Sequence, residues 1–343
     1  MDEEYDRIDE LFGSNDGIDL ALSFSRISDY DRNGPKALDK RTFVENYGAK
    51  IGSIVDDWLF NRENFDDLYF VFNGNKPTAT LGKLIDIILE NYTEIPNEET
   101  IFEIIETNDF WKRSKPETVK GYFDVPEFWD YLKAMFKGRE QTLITTDEMA
   151  LSQELAHILK THEYSKRFFD GTKVSIPQYK FTYKYKDCTI RGILDLILID
   201  HKEQTVEFID LKTGAGNGDE FISSFIKYRY YFQAALYLKI FGDLMNEMGL
   251  EGYTLKSFKF LYIGRKEKVP FVYDVSSKWN DAAFYGFTTL GGYEYKGIDE
   301  LVEEIKWHWQ NKVFNMPKEV YENNGQVNIK DNFFSVNSKQ INE

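Results

Sequence analysis

Asp195, Asp210 and Lys212 are the residues of this chain whose types and spacing could do chemistry. All three fall in one stretch, Arg-Gly-Ile-Leu-Asp-Leu-Ile-Leu-Ile-Asp from Arg191, then His201-Lys202-Glu203-Gln204, then Thr-Val-Glu-Phe-Ile-Asp-Leu-Lys ending at Lys212. The apolar, β-branched runs on either side of the polar tetrapeptide predict two buried strands joined by a turn. Side chains alternate along a strand, so Asp210 and Lys212 emerge on the same side. Asp195 interrupts Ile193-Leu194 and Leu196-Ile197-Leu198-Ile199. An unpaired carboxylate buried there costs several kcal/mol unless something compensates it. A divalent cation is such a compensator. Asp195, Asp210 and the backbone carbonyl of Leu211 offer hard oxygen donors, a set that suits Mg²⁺ or Mn²⁺.

These residues need elements to hold them. Upstream, Tyr179, Phe181, Tyr183 and Tyr185 alternate with Lys180, Thr182, Lys184 and Lys186, which predicts a strand with an aromatic face and a largely basic one. With the two strands that follow, it forms an antiparallel meander. Downstream, the glycine-rich Thr213–Gly218 segment is open to two readings, a loop hugging a ligand backbone or a plain linker. A helix is then expected over roughly Asp219 to Phe241, with Gln233 and Tyr237 on one face. Further strands are expected at Ser257–Gly264 and Val269–Val275. A last amphipathic helix near Ile298–Phe314 buries Ile298, Leu301, Val302, Ile305 and Trp309.

Earlier in the chain, Leu20–Asp31 predicts a short helix with Ser25 or Ser28 as cap. Ile51, Ile54, Val55, Trp58 and Leu59 form an apolar stripe, with Gly52 allowing close backbone approach and Asp56 and Asp57 flanking it. Residues 60–144 read as mainly helical, with Thr80 as a cap and helices at Glu98–Asn108 and Pro126–Phe136. Trp111, Phe123, Phe128, Trp129, Tyr131 and Phe136 are either core or a base-stacking track, core being the favoured reading. Thr145-Thr-Asp-Glu148 is a capping box opening another helix. The expected organisation is an α/β (α+β) fold. Residues 1–59 begin the core, 60–144 form a helical insertion, 145–320 complete a core built on a mixed sheet flanked by helices, and 321–343 form a loose tail.

Composition bounds the function. With 343 residues, 42% of them apolar, the chain can bury a substantial core. No apolar run approaches a membrane span, and the acidic opening does not resemble a signal peptide, so a cytoplasmic location without a membrane partner is expected. One cysteine, Cys188, excludes an intrachain disulfide framework, a four-cysteine zinc site and a cysteine-ligated iron–sulfur cluster. The four histidines lack zincin spacing, and no phosphate-binding P-loop is present. The net charge of −16 opposes nucleic-acid binding. Its distribution weakens that objection: residues 160–191 carry eight Lys or Arg against three acids, while the first twenty residues carry eight acids and one base.

Gly192-Ile-Leu-Asp195, Asp210-Leu-Lys212-Thr-Gly and Gln233-Ala-Ala-Leu-Tyr237, in that order, resemble the PD-(D/E)XK nuclease superfamily, specifically its RecB-like and RecE-like exonuclease branch. The acid-x-Lys tripeptide alone carries little, since it recurs at Glu294-Tyr-Lys296 and Glu304-Ile-Lys306 without a preceding apolar strand. The resemblance implies a restriction-endonuclease-like core and a Mg²⁺-dependent deoxyribonuclease, with exonuclease favoured over endonuclease. Its catalytic set would be Asp195, Asp210, Lys212, Gln233 and Tyr237, and its metal would be held by Asp195, Asp210 and Leu211. Asp56 stands where the family often has a histidine on a Gly-x-x-x-His helix, so a metal ligand and a solvated acid are both open there. Gln178 stands near a common glutamate position. Lys212 would orient or deprotonate water, its pKa lowered by burial and a nearby cation. Lys180, Lys184, Arg191, Thr213, Lys227, Arg229 and Tyr230 would contact DNA. The implied setting is DNA recombination in a phage or bacterium on linear duplex ends, with a single-strand-annealing protein as partner and homo-oligomerisation open. The alternative is a catalytically inactive nuclease-like scaffold that binds DNA or protein.

Overall fold

The computed structural model describes residues 21–39, 47–74, 76–77, 79–139 and 141–326. They divide into two compact units, one joining the chain up to Gly52 with the chain from His157 onward, the other being Ser53–Ala156. The described residues begin with a two-residue strand β1 (Ala21–Leu22) and helix α1 (Phe24–Asn33). Ser23 is the cap, its hydroxyl accepting the Arg26 N–H, in place of the Ser25 or Ser28 expected. Ser28 instead donates to the Tyr228 carbonyl at 2.8 Å. Helix α2 (Tyr47–Phe60) follows, with Ile51, Ile54 and Val55 buried and Trp58 and Leu59 half-buried. The division between the units falls inside α2, where an unbroken helical pattern marks no boundary.

The second unit has its own core. Strand β2 (Tyr69–Phe72) leads to α3 (Ala79–Asn91), α4 (Glu98–Thr107), α5 (Pro116–Phe123) and α6 (Pro126–Lys137). Strand β3 (Thr142–Thr145) then pairs parallel with β2. Helix α3 starts at Ala79, so Thr80 lies within its first turn and is not its cap. Proline opens α5 and α6, where its missing N–H has no helical partner to lose. Phe123, Phe128 and Tyr131 are buried among Ile85, Ile101 and Leu132, and Trp111, Trp129 and Phe136 pack against them. These aromatics are core. Helix α7 (Thr146–Thr161) begins with the expected box, Thr145 N–H donating to Glu148 Oε2 at 2.8 Å and Glu148 N–H to Thr145 Oγ1 at 3.1 Å.

The first unit is built on a seven-stranded mixed sheet. Strands β4 (Val174–Tyr185), β5 (Cys188–Asp200) and β6 (Thr205–Gly214) form the antiparallel meander. Two helices follow, α8 (Gly218–Lys227) and α9 (Tyr230–Leu244), where one helix was expected. The break is at Arg229, whose φ of 57° is left-handed and ends the α-helical repeat. After the short β7 (Thr254–Leu255), β8 (Lys259–Gly264) pairs parallel with β6, an arrangement that needs such a helical crossover. Strand β9 (Pro270–Asp274) closes that edge. Then come α10 (Lys278–Tyr285), a small hairpin of β10 (Phe287–Thr288) and β11 (Glu294–Tyr295), and α11 (Ile298–Asn311). In α11 the fully buried residue at the end of the stripe is His308, with Trp309 half-buried. The apolar faces of α1, α9 and α11 share one core with the sheet. Much of the expected loose tail lies outside the described residues. Among the described residues, no helix is long and apolar enough to cross a membrane.

One irregularity in the sheet positions the site. On β5, Ile190 and Leu194 and then Ile197 and Ile199 all enter the same core, although strict alternation would send the second pair to the opposite face. On β4 the same slip separates Ile176 from Tyr179 and Phe181. The register pairs Pro177 with Leu196 and Tyr179 with Leu194, leaving Gln178 opposite Asp195, and Gln178 has φ 46°. Both strands therefore change face at one point, as a bulge in each would require. Asp195 sits at that point.

Candidate active site

Strands β5 and β6 pair from Asp200–Thr205 to Leu196–Ile209, and the next residues along are Asp195 and Asp210. Continuing that register sets Asp195 opposite Asp210, and both carboxylates act on the Lys212 ammonium. At this point the Asp195 side chain replaces main-chain pairing, its Oδ2 accepting the Leu211 N–H at 2.7 Å. Asp210 is 1% exposed, and its Oδ2 forms an ion pair with the Lys212 ammonium two residues along. Gln233, in the first turn of α9, donates from Nε2 to Asp210 Oδ1 at 2.5 Å. The ammonium of Lys212 lies 5.0 Å from the centre of the Tyr230 ring and 5.7 Å from that of Phe260.

The electrostatics follow from burial and pairing. Burial pushes the Asp210 carboxyl upward, against the opposing pull of Lys212 and Gln233. For Lys212, burial acts to lower the pKa, but Asp210, Tyr230 and Asp195 together hold it above the ordinary lysine range. The depression expected of Lys212 rests on burial and a bound cation together, and here burial alone acts in that direction. The carboxylate pair opposes desolvation and exceeds it.

Tyr237, one turn beyond Gln233, packs edge-on to Phe181 at 5.0 Å between ring centroids. A Cβ on Gly192 would come within 2.6 Å of the Tyr237 hydroxyl, so that hydroxyl demands a glycine on β5. The glycines after Lys212 have a similar origin. Side chains of Tyr262 and Tyr273 occupy the space beside Gly214 and Gly218, and their hydroxyls donate to the carbonyls of Gly216 at 3.2 Å and Gly218 at 2.5 Å. The segment is packed against β8 and β9, so it is not a plain linker.

The expected DNA contacts separate into groups. Lys180, Lys184 and Arg191 lie on the alternate face of β4 and β5 from Phe181 and Leu194, with Lys184 donating to Thr189 Oγ1 at 2.9 Å. Lys227 is exposed at the end of α8, and Tyr230 lies beneath Lys212. Thr213 meets Gly52, where an added Cβ would lie 2.8 Å from its Oγ1. Arg229 is a correction: its side chain is 13% exposed and turned inward, Nε pairing with Asp31 Oδ2 at 2.5 Å. A guanidinium engaged this way supports the fold and is not presented to a phosphate. Asp31 went unnoticed in the sequence because nothing local marks a partner for a residue so far along the chain. Asp56 is half-buried on α2 in the second unit, while its neighbour Asp57 accepts the Tyr69 hydroxyl at 2.6 Å.

No group of three or more His, Cys, Asp or Glu side chains is set to hold a metal ion among the described residues. The fit to a hard cation rests instead on a mixed oxygen set. Gln233 Oε1 is buried without a hydrogen-bond partner among the described residues, because the amide nitrogen is the end committed to Asp210. A buried acceptor of this kind is satisfied by a bound water or a cation, and it belongs to the same amide that donates to Asp210.

A mixed α/β unit that gathers two acids, a lysine and a glutamine at a strand fork defines a hydrolase-type centre built for an anionic substrate. The chain belongs to the PD-(D/E)XK nuclease superfamily, whose family model matches residues 72–309. No curated protein matches. Among solved structures, the chain is similar to a protein named "Putative exonuclease" from Eubacterium rectale, with 12% identity, 90% of each chain covered and a TM-score of 0.46.

Proposed function

We propose that this nuclease-superfamily member is a metal-dependent deoxyribonuclease of the RecB-like and RecE-like branch, acting as an exonuclease on linear duplex ends in recombination or DNA processing. The observation that carries the reading is the convergence of Asp195, Asp210, Lys212 and Gln233 at one fork of the sheet, with an acceptor oxygen of Gln233 left for a ligand. Asp195, Asp210 and the Leu211 carbonyl would hold Mg²⁺ or Mn²⁺. The bound ion would lower the pKa of water and neutralise charge on the phosphoryl oxygens. Lys212, as an ammonium, donates to a phosphoryl oxygen or orients the attacking water. Gln233 holds Asp210 in place and accepts from that water. Tyr237 is assigned to position the strand, with Lys180, Lys184, Arg191, Thr213, Lys227 and Tyr230 along the DNA path. A single-strand-annealing partner and self-association belong to the same reading.

The test uses end-labelled linear and circular DNA, single- and double-stranded, with Mg²⁺, with Mn²⁺ and with excess EDTA. Cleavage of linear duplex that requires the cation, and is abolished by Asp195→Asn or Asp210→Asn, is the expected result. Gln233→Ala should lower the rate by about 10–100-fold, as loss of an outer partner of a metal ligand does. Undiminished cleavage in EDTA would overturn the metal-dependent reading. DNA binding without cleavage under every condition would favour the inactive scaffold.

A further inference from the structure

We infer that Arg229 and Asp31 form a positioning clamp that sets the catalytic helix α9 against Asp210, an inference that rests on the proposed active site. Arg229 occupies the left-handed corner between α8 and α9, a conformation that costs a non-glycine residue about 1–2 kcal/mol and so needs support from its surroundings. Three interactions of its side chain supply that support. Nε pairs with Asp31 of α1 at 2.5 Å, Nη1 donates to the Ile226 carbonyl at the end of α8 at 2.8 Å, and the guanidinium lies 4.8 Å over the Tyr295 ring of the β10–β11 hairpin. A fourth tie is independent of Arg229: Ser28, also on α1, donates to the carbonyl of Tyr228.

What this corner holds is the first turn of α9. Tyr230 is the next residue, its ring 5.0 Å from the Lys212 ammonium, and Gln233 follows within the turn, bonded to Asp210 Oδ1. A helix start moves as a unit, so the corner sets the Tyr230 ring and the Gln233 amide together. Misplacement by about 1 Å can cost a site on the order of 100-fold in rate, and loss of one support should cost less. Arg229 touches neither carboxylate of the site in the contacts described, and acts through Gln233 and Tyr230.

Arg229→Gly is the informative variant, because glycine accepts the left-handed corner and only the clamp is lost. Asp31→Asn removes the partner charge from the other side, and Arg229→Lys keeps the charge without the fork of donors. In the full-length protein with Mg²⁺ and linear duplex DNA, Arg229→Gly and Asp31→Asn should each lower kcat about tenfold while KM stays within about twofold. In a Gln233→Ala background each should lower kcat by clearly less than tenfold, since only the Tyr230 contact is left to be positioned. Equal fold losses in both backgrounds, or no loss in either, would overturn the clamp as a positioning device. A second readout does not need turnover: the side-chain amide protons of Gln233, followed by NMR, should be protected from exchange in the parent and exposed in Asp31→Asn and Arg229→Gly. Unchanged protection in folded variants would sink the inference even if the parent cleaves DNA. An inactive parent would count against the proposed function alone, with the amide protection still deciding the clamp. Should Arg229→Gly fail to fold, Asp31→Asn and Arg229→Lys carry the same two measurements.

Discussion

At the scale of single residues, the informative group is Asp210. From sequence it is a carboxylate on the same strand face as Lys212. In the fold the two form a buried ion pair. Removing one partner of a buried pair leaves the other charge uncompensated, at a cost of about 3–5 kcal/mol, whereas removing both is far milder. Asp210→Asn should therefore lower the thermal midpoint of the protein measured in EDTA, with Asp195 offsetting part of the loss through its own pull on Lys212. Adding Lys212→Met should recover most of the difference, although the double variant stays inactive. A midpoint unchanged or raised by Asp210→Asn alone would mean that the pair contributes nothing in solution.

At the scale of elements, helices and strands were legible where periodicity was long and unbroken, as in β5, β6 and α11. Two local departures were not. Arg229 splits a continuous apolar pattern into α8 and α9, and Gln178 with Asp195 shifts two strands by one face. Arg229 depends on Asp31, far along the chain, and the face change depends on how β4 and β5 pair, which neither strand's own pattern contains. Gly52 is the opposite case, a residue whose small size was legible and whose neighbour was not. It meets Thr213 so closely that an added Cβ would lie 2.8 Å from the threonine hydroxyl. Gly52→Ala gains about 1 kcal/mol of helix propensity, but overpacking costs about 1–3 kcal/mol. The net should be a modest loss in denaturant midpoint, converted to a gain when Thr213→Ala removes the obstructing oxygen. If Gly52→Ala is stabilising by itself, the approach of helix to strand is looser than described.

At the scale of the molecule, a net charge of −16 must coexist with an anionic substrate. On the proposed DNA path outside the catalytic set, Lys180, Lys184, Arg191 and Lys227 are the cations once Arg229 is withdrawn to the interior. Each phosphate neutralised contributes about −0.9 to the slope of log affinity against log salt, so four contacts should give about −3.6 on duplex DNA. Lys227→Gln should flatten that slope by about 0.9 and weaken binding across sequences alike, measured in Ca²⁺ to suppress cleavage. A slope unaffected by any of the four substitutions would place the DNA path elsewhere.

The sequence by itself determined that the chain carries two acids and a lysine on a buried hairpin, that a mixed sheet and a glutamine-bearing helix accompany them, and that 60–144 is mainly helical, the β2–β3 strand pair within it going unread. These follow from alternation, helical period and residue chemistry, all of which act over a few neighbouring positions. Only the tertiary structure decided that Lys212 pairs with Asp210, that Gln233 reaches Asp210, that Gly214 and Gly218 yield to two tyrosines, and that Arg229 faces Asp31. Those outcomes depend on burial and on charges brought together from distant parts of the chain, and both quantities come into being only when the sheet and its helices pack.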